Sequence, residues 1–118
     1  LGFTFVVTRG LDGCLYGYPL DQWQLLRQKL SELPQSKKDA RAFARFFNSA
    51  ASEVEFDKQG RINITPTLRE HAGLGKNCRV IGVNDRIEIW DEERWKAYIA
   101  ETEENFEELA EQMADFGF

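Results

Sequence analysis

The chain has 118 residues, 42% hydrophobic and 13% aromatic, with a formal net charge of −5. That length holds one domain, or one compact unit of two similar halves, and that apolar content builds a core and excludes wholesale disorder. No run of about 18 apolar residues occurs, so no membrane-spanning helix is expected. The first residues, L-G-F-T-F-V-V, have neither the basic n-region nor the small-residue cleavage site of a signal peptide. Position 1 is Leu rather than Met, and the expectation is a chain that begins partway into a longer protein.

Residues 3–8, F-T-F-V-V-T, read as a first strand, residues 9–13 as a turn and residues 14–18 as its partner in a hairpin ended by Pro19. Leu20, Trp23, Leu26, Leu30 and Leu33 then follow helical spacing, with Asp21 as candidate N-cap and Pro34 as the stop. A second helix is expected from Ser36, which forms an acidic capping box with Asp39. Its stripe is Ala40, Phe43, Ala44, Phe47 and Ala51; Phe46 falls outside it, which predicts burial on more than one side. Lys37, Lys38, Arg41 and Arg45 read best as a solvated face of this helix.

The stretch 53–73 is the most densely patterned. Val54 and Phe56 alternate with Glu53 and Glu55, and Ile62 and Ile64 alternate with Arg61 and Asn63, the period of two half-buried strands. Between them Asp57-Lys58-Gln59-Gly60 supplies turn chemistry, because Asp bonds downstream amides and Gly accepts positive φ. Thr65 is an N-cap, Pro66 fits the first helical position, and Gly73 closes a short helix over 66–72. His71 is expected on the surface of that helix. A last hairpin, 78–83 and 86–90, turns at Asn84-Asp85. Asp91 then caps a final helix of about 25 residues, about 37 Å long.

The net charge misleads about partners. Residues 37–86 carry ten Lys or Arg against six acids, a net of +4, whereas residues 91–118 carry two against ten, a net of −8. An acidic tail thus hides a cationic surface in the average. Cys14 and Cys78 stand far apart with no C-x-x-C and no His cluster, so both read as buried, reduced thiols.

Residues 6–23 and 80–95 resemble each other. Each is a strand, a polar turn, a strand ending in an aromatic (Tyr18, Trp90), and a Trp five residues on (Trp23, Trp95). Such self-similarity marks duplicated units. The second copy is preceded by the D-K-Q-G-R hairpin and the first by nothing, so a counterpart hairpin is expected upstream of Leu1.

T-R-G-L-D-G-C-L (8–15), Y-P-L-D-Q-W (18–23), K-D-A-R-A-F-A-R-F-F (38–47), D-K-Q-G-R-I-N-I (57–64) and R-I-E-I-W (86–90) together resemble the MraZ family of bacterial transcriptional regulators. The resemblance implies an α+β fold of two similar hairpin-plus-helix halves forming an AbrB-like, swapped-hairpin (double-psi type) β-barrel with flanking helices. Residues 1–51 would be the remainder of the first repeat plus a linking helix, and 52–118 a second SpoVT/AbrB-like repeat with an acidic C-terminal helix. It further implies ring-like homo-oligomers that bind double-stranded DNA at repeated operators upstream of the division and cell-wall gene cluster, in the cytoplasm at the nucleoid. Of the two D-x-x-G-R motifs expected, only Asp57–Arg61 is present. The motif arginine, Arg61, is implied as the main DNA contact.

The residues agree with that implication. Arg61 has a planar fork for a phosphate or the O6/N7 edge of guanine, Lys58 adds a point charge, and Gly60 permits close backbone approach. Gln59 completes the tip and Asp57 stabilises the turn. No cofactor, small-molecule substrate, metal site or membrane partner is expected. An enzyme is disfavoured: the chain has no P-loop, no G-x-S-x-G and no Cys–His pairing. The remaining alternative is a protein-interaction module that binds no DNA.

Overall fold

The structure, a computed structural model, describes residues 4–117. Phe3, expected to open the first strand, lies outside them. Strands β1 (Thr4–Arg9), β2 (Leu15–Pro19), β3 (Ser52–Glu55), β4 (Cys78–Val83) and β5 (Arg86–Asp91) form one antiparallel sheet in the order β3-β1-β2-β5-β4. The helices are α1 (Leu20–Ser31), α2 (Lys38–Ser49), α3 (Pro66–Ala72), α4 (Glu92–Glu104) and α5 (Phe106–Met113). The fold is therefore mixed α+β.

The continuous apolar run of β1 follows from cover on both faces of the sheet. Val6, with Cys14, Tyr16, Tyr18, Trp23, Phe47 and Trp90, belongs to one cluster; Phe5 and Val7 join Leu15, Val54, Leu68, Ala72 and Ile89 in the other. A chain of rings links strand to helices in the first cluster: Tyr18–Trp23 at 6.0 Å, Trp23–Phe47 at 5.9 Å and Phe43–Phe47 at 5.6 Å. Such contacts add to the area each ring buries. The buried Thr8 hydroxyl donates to the Phe47 carbonyl at 2.5 Å, tying α2 to β1.

The repeat is visible as a local two-fold. Tyr16 and Glu88, each two residues before its repeat's aromatic, face each other across the β2–β5 ladder. Glu88 is buried there. It accepts from Arg86 Nη2 at 2.9 Å and Trp90 Nε1 at 3.1 Å, while the Arg86 guanidinium lies 4.1 Å over the Tyr16 ring. The halves differ in cover: Val6, opposite Tyr18, is buried, whereas Arg79, opposite Trp90, is exposed. β1 has β3 on its outer side; among the described residues, β4 is the opposite edge of the sheet.

Several local expectations hold. Thr65 Oγ1 accepts from Leu68 N, Pro66 opens α3, and Gly73 closes it at φ +59 with Leu74 N donating to Arg69 O at 3.0 Å. Asp91 caps α4, accepting from Arg94 N, and its other oxygen accepts from Gly75 N at 2.9 Å. Asn84 sits in the β4–β5 turn at φ 58.

Others are corrected. Asp21 is not the N-cap of α1: Pro19 holds that position, and the Asp21 carboxylate accepts from Gln22 N in the first turn. Ser36 and Asp39 form no capping box, since α2 starts at Lys38 without a side-chain cap. Nor is α2 buried on more than one side; Phe43 and Phe46 are 48% and 53% exposed. Phe46 is covered by the Arg9 guanidinium at 3.9 Å and by the His71 ring edge instead of by core. His71 is half-buried, with its Nε2 3.1 Å from the Gly10 carbonyl. Cys78 is exposed on β4, while Cys14 is buried and its thiol is pushed up to about 12, by burial first and by Glu88 next.

The single long C-terminal helix is two helices. At Asn105 (φ −109, ψ 9) the side-chain Nδ2 donates to the Glu101 carbonyl, the acceptor the main-chain N–H would take in an unbroken helix. The N–H shifts to Thr102 O. Glu103 and Glu104 would also stand four residues before Glu107 and Glu108, a repulsive spacing. The expected strand over 61–64 is absent too. Ile62 and Ile64 pack against the Phe5–Leu68 cluster, so their alternation is met by burial without a ladder.

Leu68 is fully buried under the sheet. Leu68→Ala is expected to cost about 3 kcal/mol, lowering Tm by on the order of 10 °C, measured by thermal unfolding.

Candidate nucleic-acid interface

The candidate site is built on β3. This strand follows α2 and adds to β1 through the pairs Phe5↔Val54 and Val6↔Glu53, with Thr4 Oγ1 donating to Glu55 Oε1 at 3.2 Å. Val54 points into the core and Phe56 lays its ring against Phe5, 5.4 Å between centroids. The chain then leaves the sheet into residues 57–61 and returns through Ile62 and Ile64 to the Thr65 cap of α3. The loop is thus held at both ends by buried apolar residues.

Its shape is set by Asp57. The Asp57 N–H donates to Arg61 O at 2.8 Å and its carbonyl accepts from Gly60 N at 3.0 Å, which closes the turn. One carboxylate oxygen accepts from the amides of Gln59 (2.9 Å) and Arg61 (2.8 Å), an Asx arrangement. The other lies 3.4 Å from Arg61 Nε. Gly60 has φ +78 with open space where a Cβ would stand, so glycine serves the backbone conformation and not a tight fit.

All five expected site residues therefore come together in one exposed loop. Asp57 has the structural role assigned to it. Gln59 does more than complete the tip: its Oε1 accepts from Arg61 Nη2, so the guanidinium is braced from two sides. The Arg61 side chain is still 73% exposed, and an exposed pair of this kind exchanges partners at little cost. Lys58 is exposed on the same turn. Chemically this is a fork of donors and an ammonium on a fixed backbone, an arrangement that binds anionic oxygens and base edges.

The basic residues of α2 are not part of this loop. Arg79 is also spent elsewhere, paired with Glu92 at 3.0 Å. Among the described residues no group of three or more His, Cys, Asp or Glu is placed to hold a metal ion, and no helix is long and apolar enough to cross a membrane. What sequence reading missed lies in the support. Arg9, besides covering Phe46, donates to the Phe46 carbonyl at 2.7 Å, and Arg94 reaches the Gly13 carbonyl at 3.3 Å. Neither stands in a pattern that would single it out.

The backbone amides of Arg61 and Gln59, with desolvation opposing, hold the Asp57 carboxyl below its ordinary 3.8. A lowered carboxylate contributes order that is complete above the unfolded value and fades as pH falls through the folded one. Amide hydrogen exchange at Gln59 and Arg61 is therefore expected to be slow at pH 6 and to lose its protection below about pH 4, with the core unaffected. Asp57→Ala should remove that protection at every pH; unchanged exchange would show that the carboxylate does not order the loop.

The family model described as "MraZ protein, putative antitoxin-like" matches residues 1–46 and 47–117. The chain is 61% identical over 116 residues to "Transcriptional regulator MraZ" of Ligilactobacillus salivarius (strain UCC118), covering 98% of this chain and 81% of that relative. It is 59% identical over 113 residues to the protein of the same name in Limosilactobacillus reuteri (strain DSM 20016), covering 96% and 80%. The two matched segments divide the chain near the end of α2, close to the division between its similar halves, and the chain belongs to the MraZ family.

Proposed function

We propose that this chain is a DNA-binding transcriptional regulator whose Asp57–Arg61 loop reads DNA, and that it acts as a ring-like homo-oligomer on repeated operator elements upstream of the division and cell-wall gene cluster. The family is one of regulators, not enzymes, as its relatives' names state. The observation that carries the reading is the loop itself: Asp57 fixes the backbone while Lys58 and Arg61 remain exposed at its tip. Arg61 is the specificity contact, a bidentate donor to guanine or phosphate; Lys58 and the Gln59 and Gly60 backbone sit against the sugar–phosphate strand. One such loop makes few phosphate contacts, and affinity falls steeply with their number. Several loops on one oligomer, set against successive repeats, recover it through effective concentration.

The fold reading behind this is the swapped-hairpin barrel. It is supported by β3, which belongs to the second half yet pairs with β1 of the first. The equivalent position beside β4 would take the matching strand of a first-half hairpin with its own D-x-x-G-R loop. Exposed Arg79 and Val80, which occupy the register positions of buried Val6 and Val7, favour that pairing. A cytoplasmic, nucleoid-associated location follows from the function.

Fluorescence anisotropy with operator repeats and scrambled DNA across a salt series tests the reading. Arg61→Ala is expected to cost about 1–3 kcal/mol per loop engaged, abolishing discrimination while circular dichroism stays native. Lys58→Ala should weaken both DNAs alike and lower the salt slope by about 0.9. Equal affinity of the unmodified protein for both DNAs would leave the alternative, an interaction module that binds no DNA.

A further inference from the structure

Two helices carry faces that nothing in the chain covers. On α5 and the turn after it, Phe106, Leu109, Met113 and Phe116 recur at three- and four-residue intervals along one side, and are 64%, 40%, 41% and 73% exposed. Helical spacing places Glu107 on one flank of this stripe and Glu108 on the other. On α2, Phe43 and Phe46 are exposed beside a mainly apolar cavity of 220 Å³ that Leu11, Leu30 and Phe47 also line. Lys38 and Arg45 stand exposed on the same helix, and Arg9, at the cavity's rim, lies over Phe46.

The two surfaces are complementary in both respects. One is an apolar stripe between carboxylates. The other is an aromatic cavity among cations, roomy enough for one large apolar side chain. Docking of an amphipathic helix in a hydrophobic groove is a recurrent recognition mode, and opposite charge at the rim fixes its register. Both surfaces stand exposed together in one copy, so they do not cover each other within it. Exposed aromatic patches of this kind mark interaction sites.

We propose that α5 of one copy docks on the α2 cavity of a second copy, with Glu107 and Glu108 facing Lys38 and Arg45 and an aromatic of the stripe, Phe106 or Phe116, in the cavity. The two surfaces differ, so the contact is heterologous: every copy gives a helix and receives one. Such contacts close into rings when the rotation allows. The proposal rests on the self-assembly reading above and names the surface that effects it.

A charge swap tests it on the whole chain by light scattering at tens of micromolar protein. Glu107→Lys/Glu108→Lys and Lys38→Glu/Arg45→Glu are each expected to fall to monomer mass with native circular dichroism. Mixed in equal amounts, they should regain the mass of the unaltered oligomer, because each interface in an alternating ring is again of opposite charge. An unaltered protein that is itself a monomer ends the self-assembly reading and the proposal with it. An oligomeric parent whose variants keep its mass leaves self-assembly standing and overturns this docking. Variants that dissociate but do not recover on mixing overturn the α5–α2 pairing.

Discussion

The pairing of β3 with β1 is the constraint on which the site depends. β1 alone could not hide its four consecutive buried residues; it needs a neighbour on its outer edge and cover on both faces. β3 supplies the neighbour, α2 and α1 the aromatic cover on one side, and α3 the cover on the other. The same ladder fixes where the chain leaves the sheet at Phe56 and hence where the Asp57–Arg61 loop stands. Fold and candidate site are thus one problem of packing, because a loop on a free two-residue extension would have no defined direction.

At the other side of β2 the halves meet through Tyr16 and Glu88. A buried carboxylate is costly unless its oxygens are filled, and here Arg86 and Trp90 from its own strand fill both. The Arg86–Tyr16 stacking carries this polar cluster across the seam. It contributes register more than energy, since a slip of one residue would turn Glu88 to the other face and separate it from both partners. The duplication apparent from the spacing of Tyr18–Trp23 and Trp90–Trp95 therefore has a physical centre.

Much of this was legible in the residues because it is local. The Thr65 cap, Pro66, left-handed Gly73, the Asp91 cap and the Asn84 turn each depend on chemistry within a few positions, and each stands where that chemistry puts it. The Asp57 turn was legible for the same reason. What failed depended on distant partners. The alternation at Ile62 and Ile64 fits a strand equally well whether or not a ladder partner exists. The exposure of Phe46 turned on Arg9, 37 positions away, and the half-burial of His71 on Gly10. Asn105 is a milder case: a side chain able to take its own helix's carbonyl was visible, but a run of good helix formers outweighed it. The role of Arg61 in binding is a different matter, resting on family resemblance and exposed chemistry together.

The Asp57 loop has an entropic consequence. A flexible cationic segment must freeze its backbone when it meets a ligand, and that ordering is subtracted from the affinity it gains. Here the carboxylate and two apolar anchors have already frozen it in the free protein. What remains to be settled on contact is the rotamer of Lys58 and the exchange of partners by Arg61. A loop of this kind acts as a rigid die, reporting the spacing and shape of what it presses against, and it loses little when several copies must engage at once.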